Sequence, residues 1–251
     1  MPALRLVHGI ATLSFLAAAG CSEPPREVLD AVRDALAAGD REALAARIDP
    51  EYADALGDRA ALLHDVDELF ETYGRVVYRI TDAEVVLPPE TPLRMQLIGR
   101  LDVDLAGEPT WRVAGPLGVE LSRRHHPLIT GGLLDDLRGI RALLMARRAA
   151  LEANDTAGYG ALLHPGYQDG SLDRDAVLAR VTKDLHQLPI RQTPIHELVE
   201  VRGPLAHVDE RYTVRIGERL LGPALSRLTL KRSAGRWLIT AGLYPAAKPD
   251  E

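Results

Sequence analysis

The chain has 251 residues, of which 46% are hydrophobic and 26% charged, and its formal net charge is −6. That balance belongs to a globular protein exposed to water and long enough for one large domain or two small ones. An acidic chain with basic residues spread along its length offers no stripe for a phosphate backbone, which excludes nucleic acid as a partner.

The first element is an address. Arg5 and the amino terminus precede an apolar run from Ile10 to Leu16 that continues through Ala17-Ala18-Ala19. The stretch from Gly9 to Gly20 is shorter than the roughly 20 apolar residues a bilayer span needs. Cys21 follows and is the only cysteine, so no intramolecular disulfide or thiolate metal site can form. Leu16-Ala17-Ala18-Ala19-Gly20-Cys21 resembles the bacterial lipobox, although Ala18 stands where leucine is commoner. The resemblance implies a leader over 1–20, cleavage after Gly20 and acyl chains on Cys21. Each buried CH₂ of those chains contributes about 0.8 kcal/mol to membrane anchoring. Ser22 after the cysteine implies the outer membrane, facing the periplasm, in a two-membrane cell. The alternative is ordinary secretion with an incidental free thiol. Residues 21–25 read as a tether, and Pro25 suits the first turn of a helix.

Residues 26–132 form a first unit. Val28, Leu29, Val32 and Leu36 recur at helical spacing, and Gly39 ends that helix. Asp40 can cap a short second helix with Leu44 and Ile48 inward, stopped by Pro50. Asp58 can cap a third, whose apolar stripe is Leu62, Leu63, Val66, Leu69, Phe70 and Tyr73, closed by Gly74. The period then falls to two. Val76, Tyr78 and Ile80 predict one strand, Glu84–Leu87 another, and Pro88, Pro89 and Pro92 a loop. Leu97, Leu101, Val103 and Leu105 predict a further strand. Val119, Leu121 and Leu128-Ile129 predict a closing hairpin with Arg123-Arg124-His125-His126 at its tip.

Residues 133–245 repeat the order, with 246–251 as a tail. Asp135 can cap a long helix carrying Leu137, Ile140, Leu144 and Leu151. Asn154-Asp155 takes the place of Gly39-Asp40. A short helix with Tyr159 and Leu163 is stopped by Pro165, and Asp173 caps a third helix with Val177, Leu178, Val181, Leu185 and Leu188 inward, ended by Pro189. Predicted strands are Ile195–Val201, Ala206–Ile216, Arg227–Lys231 and Trp237–Leu243, the last two flanking a Ser233-Ala234-Gly235-Arg236 turn.

The two units share a motif. Asp49-Pro50-Glu51-Tyr52-Ala53-Asp54, with Asp58-Arg59 beyond it, returns 115 residues on (164 against 49). There it reads His164-Pro165-Gly166-Tyr167-Gln168-Asp169, with Asp173-Arg174 beyond. Leu128-Ile129-Thr130-Gly131-Gly132-Leu133 returns as Leu238-Ile239-Thr240-Ala241-Gly242-Leu243. Helix, short helix, helix and then antiparallel strands, twice over, predict an α+β protein of two tandem units. Each unit is expected to fold around its own interior.

On this element order, the Pro-x-Tyr-x-Asp stretch and the last strand Gly235-Arg236-Trp237-Leu238-Ile239, the chain resembles the nuclear-transport-factor-2-like superfamily. That superfamily includes ketosteroid isomerase, scytalone dehydratase and SnoaL-like cyclases. The resemblance implies two cone-shaped domains, each with three helices packed in a curved antiparallel sheet around a pocket. It also implies that the two copies can pair as a pseudo-dimer, as members do through their sheet faces.

For chemistry, His164, Tyr167 and Asp169 are the candidate set: a His or Asp as general base and a tyrosine hydroxyl to steady an oxyanion. The competing reading is a turn required by the fold, because Pro, Tyr and Asp recur in both units and only His164 against Asp49 differs. Tyr52, Trp111, Tyr159, Tyr212 and Trp237 are candidates to line a pocket, with Trp237 in phase with the core residue Ile239. No histidine spacing suits a metal, and no Gly-rich phosphate loop or Gly-x-Ser-x-Gly elbow is present, so no cofactor is expected. Three functions stay open. One is an anchored envelope lipoprotein, non-catalytic, that binds a small apolar ligand or a protein partner. Another is an isomerase-like enzyme using the second pocket, and the third is a structural assembly module.

Overall fold

The computed structural model describes residues 23–91, 93–107, 109–185 and 190–243. The leader, Cys21, Pro92, Leu188, Pro189 and the tail, and the side chain of Leu185, lie outside the described residues.

Each unit opens with three helices. In the first they are α1 (Pro25–Ala38), α2 (Arg41–Ala46) and α3 (Arg59–Tyr73); in the second, α4 (Asp135–Glu152), α5 (Thr156–Ala161) and α6 (Arg174–Leu185). Pro25 starts α1, where its fixed φ suits helix and its missing N–H costs nothing. Gly39 ends α1 in the left-handed region at φ 67°, and Asn154, which tolerates that region, sits at φ 55° after α4. The Asp40, Asp58, Asp155 and Asp173 carboxylates accept from Ala43, Ala61, Gly158 and Ala176 N–H, capping four helices. Asp135 does not cap α4. Leu134, at φ 59°, is the cap residue and makes no side-chain bond, and Asp135 is the first helical residue. Its carboxyl instead faces Asp54 and Arg138 of the neighbouring cluster.

Two-residue ribbons precede the third helix of each unit: β1 (Ala53–Asp54) with β2 (Gly57–Asp58), and β7 (Gln168–Asp169) with β8 (Leu172–Asp173). The long strands follow. The first unit supplies β3 (Val77–Val86), β4 (Arg94–Leu105), β5 (Thr110–Ser122) and β6 (Ile129–Gly131). The second supplies β9 (Ile190–Arg202), β10 (Leu205–Ile216), β11 (Arg219–Ser233) and β12 (Arg236–Ala241). Four of these correct the sequence reading. Val76–Ile80 and Glu84–Leu87 are not separate strands: β3 is continuous to Val86, with Asp82 at φ 54° and a register shift between Thr81 and Glu84. That bulge breaks the alternation and hides the continuity. The strands β5, β9 and β11 begin well before Val119, Ile195 and Arg227, at Thr110, Ile190 and Arg219.

The sheets of the two units are one sheet. Its order is β12-β11-β10-β9-β5-β4-β3, with β6 beside β5, and every pairing is antiparallel except β5 with β9. That parallel seam runs from Thr110 opposite His196 to Ala114 opposite Glu200. The units therefore meet edge to edge, not through their sheet faces. Bulges at Thr81/Glu84, Arg211/Tyr212 and Tyr212/Val214 bend the sheet around the helices.

The buried apolar side chains of both units belong to one cluster, from Val28 to Ile239. Separate interiors were expected; the seam joins them, because Val113 in β5 and Val199 in β9 are paired across it and both are buried. The duplication nonetheless recurs in three dimensions. Ile48 bridges Ile129 and Leu163 bridges Ile239, both in parallel sense. The Arg59 guanidinium donates to Ala45 O at 2.8 Å, and that of Arg174 to Gly160 O at 3.0 Å.

Candidate functional site

The repeated motif is a structural turn in both units. Tyr52 and Tyr167 are buried and donate their hydroxyls to Asp54 and Asp169. Burial, with the neighbouring carboxylate, pushes both phenols well above their usual pKa. Asp169 also accepts from Gly242 N–H at 3.0 Å, and Asp54 from Leu56 and Gly57 N–H. His164 and Asp49, the one difference between the copies, do the same local work. The Asp49 carboxylate accepts from Glu51 N–H at 2.9 Å, and His164 Nδ1 accepts from Gly166 N–H at 3.0 Å. The structure brings Tyr167 and Asp169 together and turns the acceptor nitrogen of His164 to its own backbone.

The two units differ instead inside the second. Strands β9, β10 and β11 with helices α4, α5 and α6 enclose a cavity of about 220 Å³. Its apolar wall includes Leu151, Val181, Val214 and Leu228, and its polar wall Arg147, Tyr159, Gln192, Tyr212 and Ser226, with Asp184 at the exposed side. Of the aromatic candidates, Tyr159 and Tyr212 line this cavity, whereas Tyr52, Trp111 and Trp237 are buried elsewhere. Trp237 packs under Arg232, whose guanidinium carbon lies 5.2 Å from the ring centre. Gly139 lets α4 approach that ring, since a Cβ there would sit 2.9 Å from Trp237 Cδ1.

Arg147 is the centre of the polar wall. Its Nη2 donates to both Glu210 oxygens at 2.8 Å and to Gln192 Oε1 at 3.2 Å. Ser226 Oγ donates to Glu210 Oε2 at 2.8 Å. Arg148 contacts Glu197 and lies 3.6 Å from Glu210. Buried Arg147, Glu197 and Glu210 and half-buried Arg148 thus sit together with formal charges balanced, the condition under which burial of charge is tolerated. Burial opposes the Arg147 charge, but Glu210 outweighs it and the pKa rises; Arg148, less completely compensated, is pulled down to about 10 by burial. Burial lifts Tyr159 to about 12, so its phenol is neutral and available as donor and acceptor. Among the described residues, buried Arg147 Nε has no hydrogen-bond partner, and Arg148 Nη2 and the Glu197 oxygens have none beyond their own close ionic contact.

The first unit lacks this set. Gly132 and Gly242 each press against a carbonyl, that of Gly118 and that of Arg227 respectively, which aligns β5 with β11. On that alignment Leu117 replaces Ser226. Their cross-strand partners follow, so Gly99 replaces Glu210. By the 115-residue helix repeat, Val32 replaces Arg147 and Leu44 replaces Tyr159. Val32, Leu44 and Leu117 are all buried. Sequence reasoning missed the polar set, although its signal was present. Arg147 falls between Leu144 and Leu151 on the α4 stripe, Glu197 lies in phase with Val199 and Val201, and Glu210 lies in phase with Ala206 and Val208.

His196 and the His125-His126 pair are exposed, and His207 is half-buried. Among the described residues no group of three or more His, Cys, Asp or Glu could hold a metal ion, and no helix is long and apolar enough to cross a membrane.

No family model and no curated protein matches the chain. Solved structures of similar shape include a protein of the NTF2-like (nuclear-transport-factor-2-like) family from Streptomyces avermitilis, at 16% identity and TM-score 0.37, covering 43% of this chain and 93% of the other. A protein of unknown function with a cystatin-like fold from Nostoc punctiforme is 17% identical at TM-score 0.38, covering 43% and 88%. Bd1075 from Bdellovibrio bacteriovorus is 8% identical at TM-score 0.40 and covers 70% of this chain and 77% of its own.

Proposed function

We propose that the chain is a lipid-anchored protein of the cell envelope that binds one small amphiphilic molecule in the cavity of its second unit, without turning it over. The observation that carries the binding reading is the cavity-lining Arg147, whose buried Nε has no hydrogen-bond partner among the described residues while Glu210 neutralises its charge. A buried donor without a partner costs about 1–3 kcal/mol, which an acceptor atom on a ligand relieves. Because Glu210 already balances the Arg147 charge, the wall suits a neutral acceptor such as a carbonyl or hydroxyl better than a free anion. Leu151, Val181, Val214 and Leu228 suit an apolar body. At about 220 Å³ the cavity is smaller than the roughly 300–1,000 Å³ of sites for drug-sized molecules, so the ligand is small. The anchoring part rests on the lipobox-like residues before Cys21.

The test is purification from membranes under native conditions, with mass spectrometry of the N-terminal peptide and of any co-purifying molecule. A molecule retained by the native chain and lost in Tyr159→Leu/Ser226→Leu, which installs the first unit's side chains, supports the reading. A ligand retained by the folded double variant refutes it. An isomerase-like enzyme is the alternative, with Asp184, the one carboxylate among the described residues lining the cavity, as the base. Turnover abolished by Asp184→Asn would replace the binding reading with that one.

A further inference from the structure

We infer that the ligand of the second unit is a single-chain amphiphile that enters polar end first, its apolar chain leaving the cavity along an exposed strip at the β10–β11 hairpin end of the sheet. The inference rests on the cavity being a ligand site, as proposed above. That cavity has a polar floor and an apolar mouth. Arg147 and Tyr159 line it and are buried, and Arg147 is held by buried Glu210. Asp184 is exposed and Ile190, Val214 and Leu243 are half-buried, so the opening lies on their side. The reverse orientation would press a chain end against Arg147 and leave its Nε without an acceptor.

The mouth continues onto the sheet. Alternation along β10 sends Glu210, Tyr212, Val214 and Ile216 to the side facing the helices, in that order from floor to hairpin. Val214 is opposite Leu221 of β11, and Ile216 is opposite Ile190 of β9. Opposite residues of an antiparallel pair leave the sheet on the same face. Leu221 is 50% exposed and Ile216 half-buried, and Arg219, opposite Ile216, ends the strip. At about 3.4 Å per residue, Glu210 and Ile216 are about 20 Å apart along the strand. The cavity itself, at about 220 Å³, holds only about seven water-sized groups of about 30 Å³ each. Its volume therefore limits the enclosed part of the ligand and not its length. A chain that runs on over Val214, Leu221 and Ile216 covers apolar side chains that are otherwise wet.

The experiment is equilibrium dialysis of the full chain against unbranched primary alcohols from 1-hexanol, which is about the size of the cavity, to 1-decanol. Full burial of a methylene is worth about fourfold in affinity, so half burial on the strip is worth about twofold. The expected result is a Kd that keeps falling about twofold per methylene beyond 1-hexanol. Leu221→Asn should flatten the series beyond that length. Leu225→Asn, which changes a 76% exposed leucine on the opposite face of β11, should leave the whole series as it is. Tyr159→Leu/Ser226→Leu should weaken every homologue alike, because each seats its hydroxyl on the floor. Stronger binding in that double variant would place the apolar end inward and overturn the orientation. A native series that is flat beyond 1-hexanol, or a slope retained in Leu221→Asn, overturns the strip and leaves the cavity reading standing. No binding of any homologue to the folded native chain overturns the cavity reading, and the inference with it.

Discussion

Arg147 and Glu210 are joined by a two-point ion pair in the interior of the second unit, at positions where the first unit carries Val32 and Gly99. Duplicated scaffolding is expected to be alike in both copies. A buried ion pair in one copy only is a specialisation, because it is expensive to desolvate and adds little to stability by comparison with an apolar pair.

This yields the first prediction. Arg147→Leu or Glu210→Leu alone leaves an unpaired buried charge and should cost about 3–5 kcal/mol. The double variant should cost much less than the two together. Urea unfolding of the four chains measures the coupling, and simple additivity would show that the pair is not coupled.

The second prediction concerns pH. Asp54 and Asp135 lie against each other and Arg138, which donates to Asp54 at 2.7 Å and to Asp65 at 2.7 Å. Burial, and then the Asp54 charge, raises Asp135 to about 8, while hydrogen bonds from Tyr52 and Leu56 and the charge of Arg138 outweigh desolvation and depress Asp54. For Asp135 the folded state binds the extra proton, so its contribution is complete below the unfolded value near 4 and fades as pH rises towards 8. The Asp54 contribution has the opposite sign and disappears only as pH falls below about 4. Stability should therefore decline from about pH 5 to 8, and Asp135→Asn should flatten that decline. Urea midpoints across the range test this; an unchanged slope in the variant rules it out.

The third prediction uses the repeated glycines. A Cβ at Gly132 would lie 2.0 Å from Gly118 O, and one at Gly242 1.9 Å from Arg227 O, with φ of 77° and 96°. Alanine at either should cost more than about 2 kcal/mol, since backbone rather than a flexible side chain is in the way. Gly170, at φ 58° with nothing within 4 Å, is the control and should lose only about 1 kcal/mol on the same change. Thermal unfolding of the three variants separates clash from backbone conformation.

The fourth concerns the address. Cys21→Ser should move the chain from the membrane to the soluble fraction on cell fractionation, and retention on the membrane would remove lipidation from the account.

Local signals carried much of this architecture. Helix caps at Asp40, Asp58, Asp155 and Asp173, the left-handed stops at Gly39 and Asn154, and the Tyr–Asp turn are written within a few neighbouring residues, and they form through contacts of that range. The alternation of β4 and β10 was equally plain because one face of each meets the helices. What neighbours cannot encode was not legible. The β5–β9 seam pairs Thr110 with His196, a choice between sheet edges that depends on both units having folded, and it merges two interiors into one. Arg147, Glu197 and Glu210 each fall in phase with core residues, but nothing local in the sequence says which partner any of them meets. Only packing from α4, β9 and β10 brings them together, where burial makes each dependent on the others. The sequence by itself determined the elements, their order and their duplication; the tertiary structure decided which edges joined and which of the two cones became polar inside, because both depend on contacts between residues far apart along the chain.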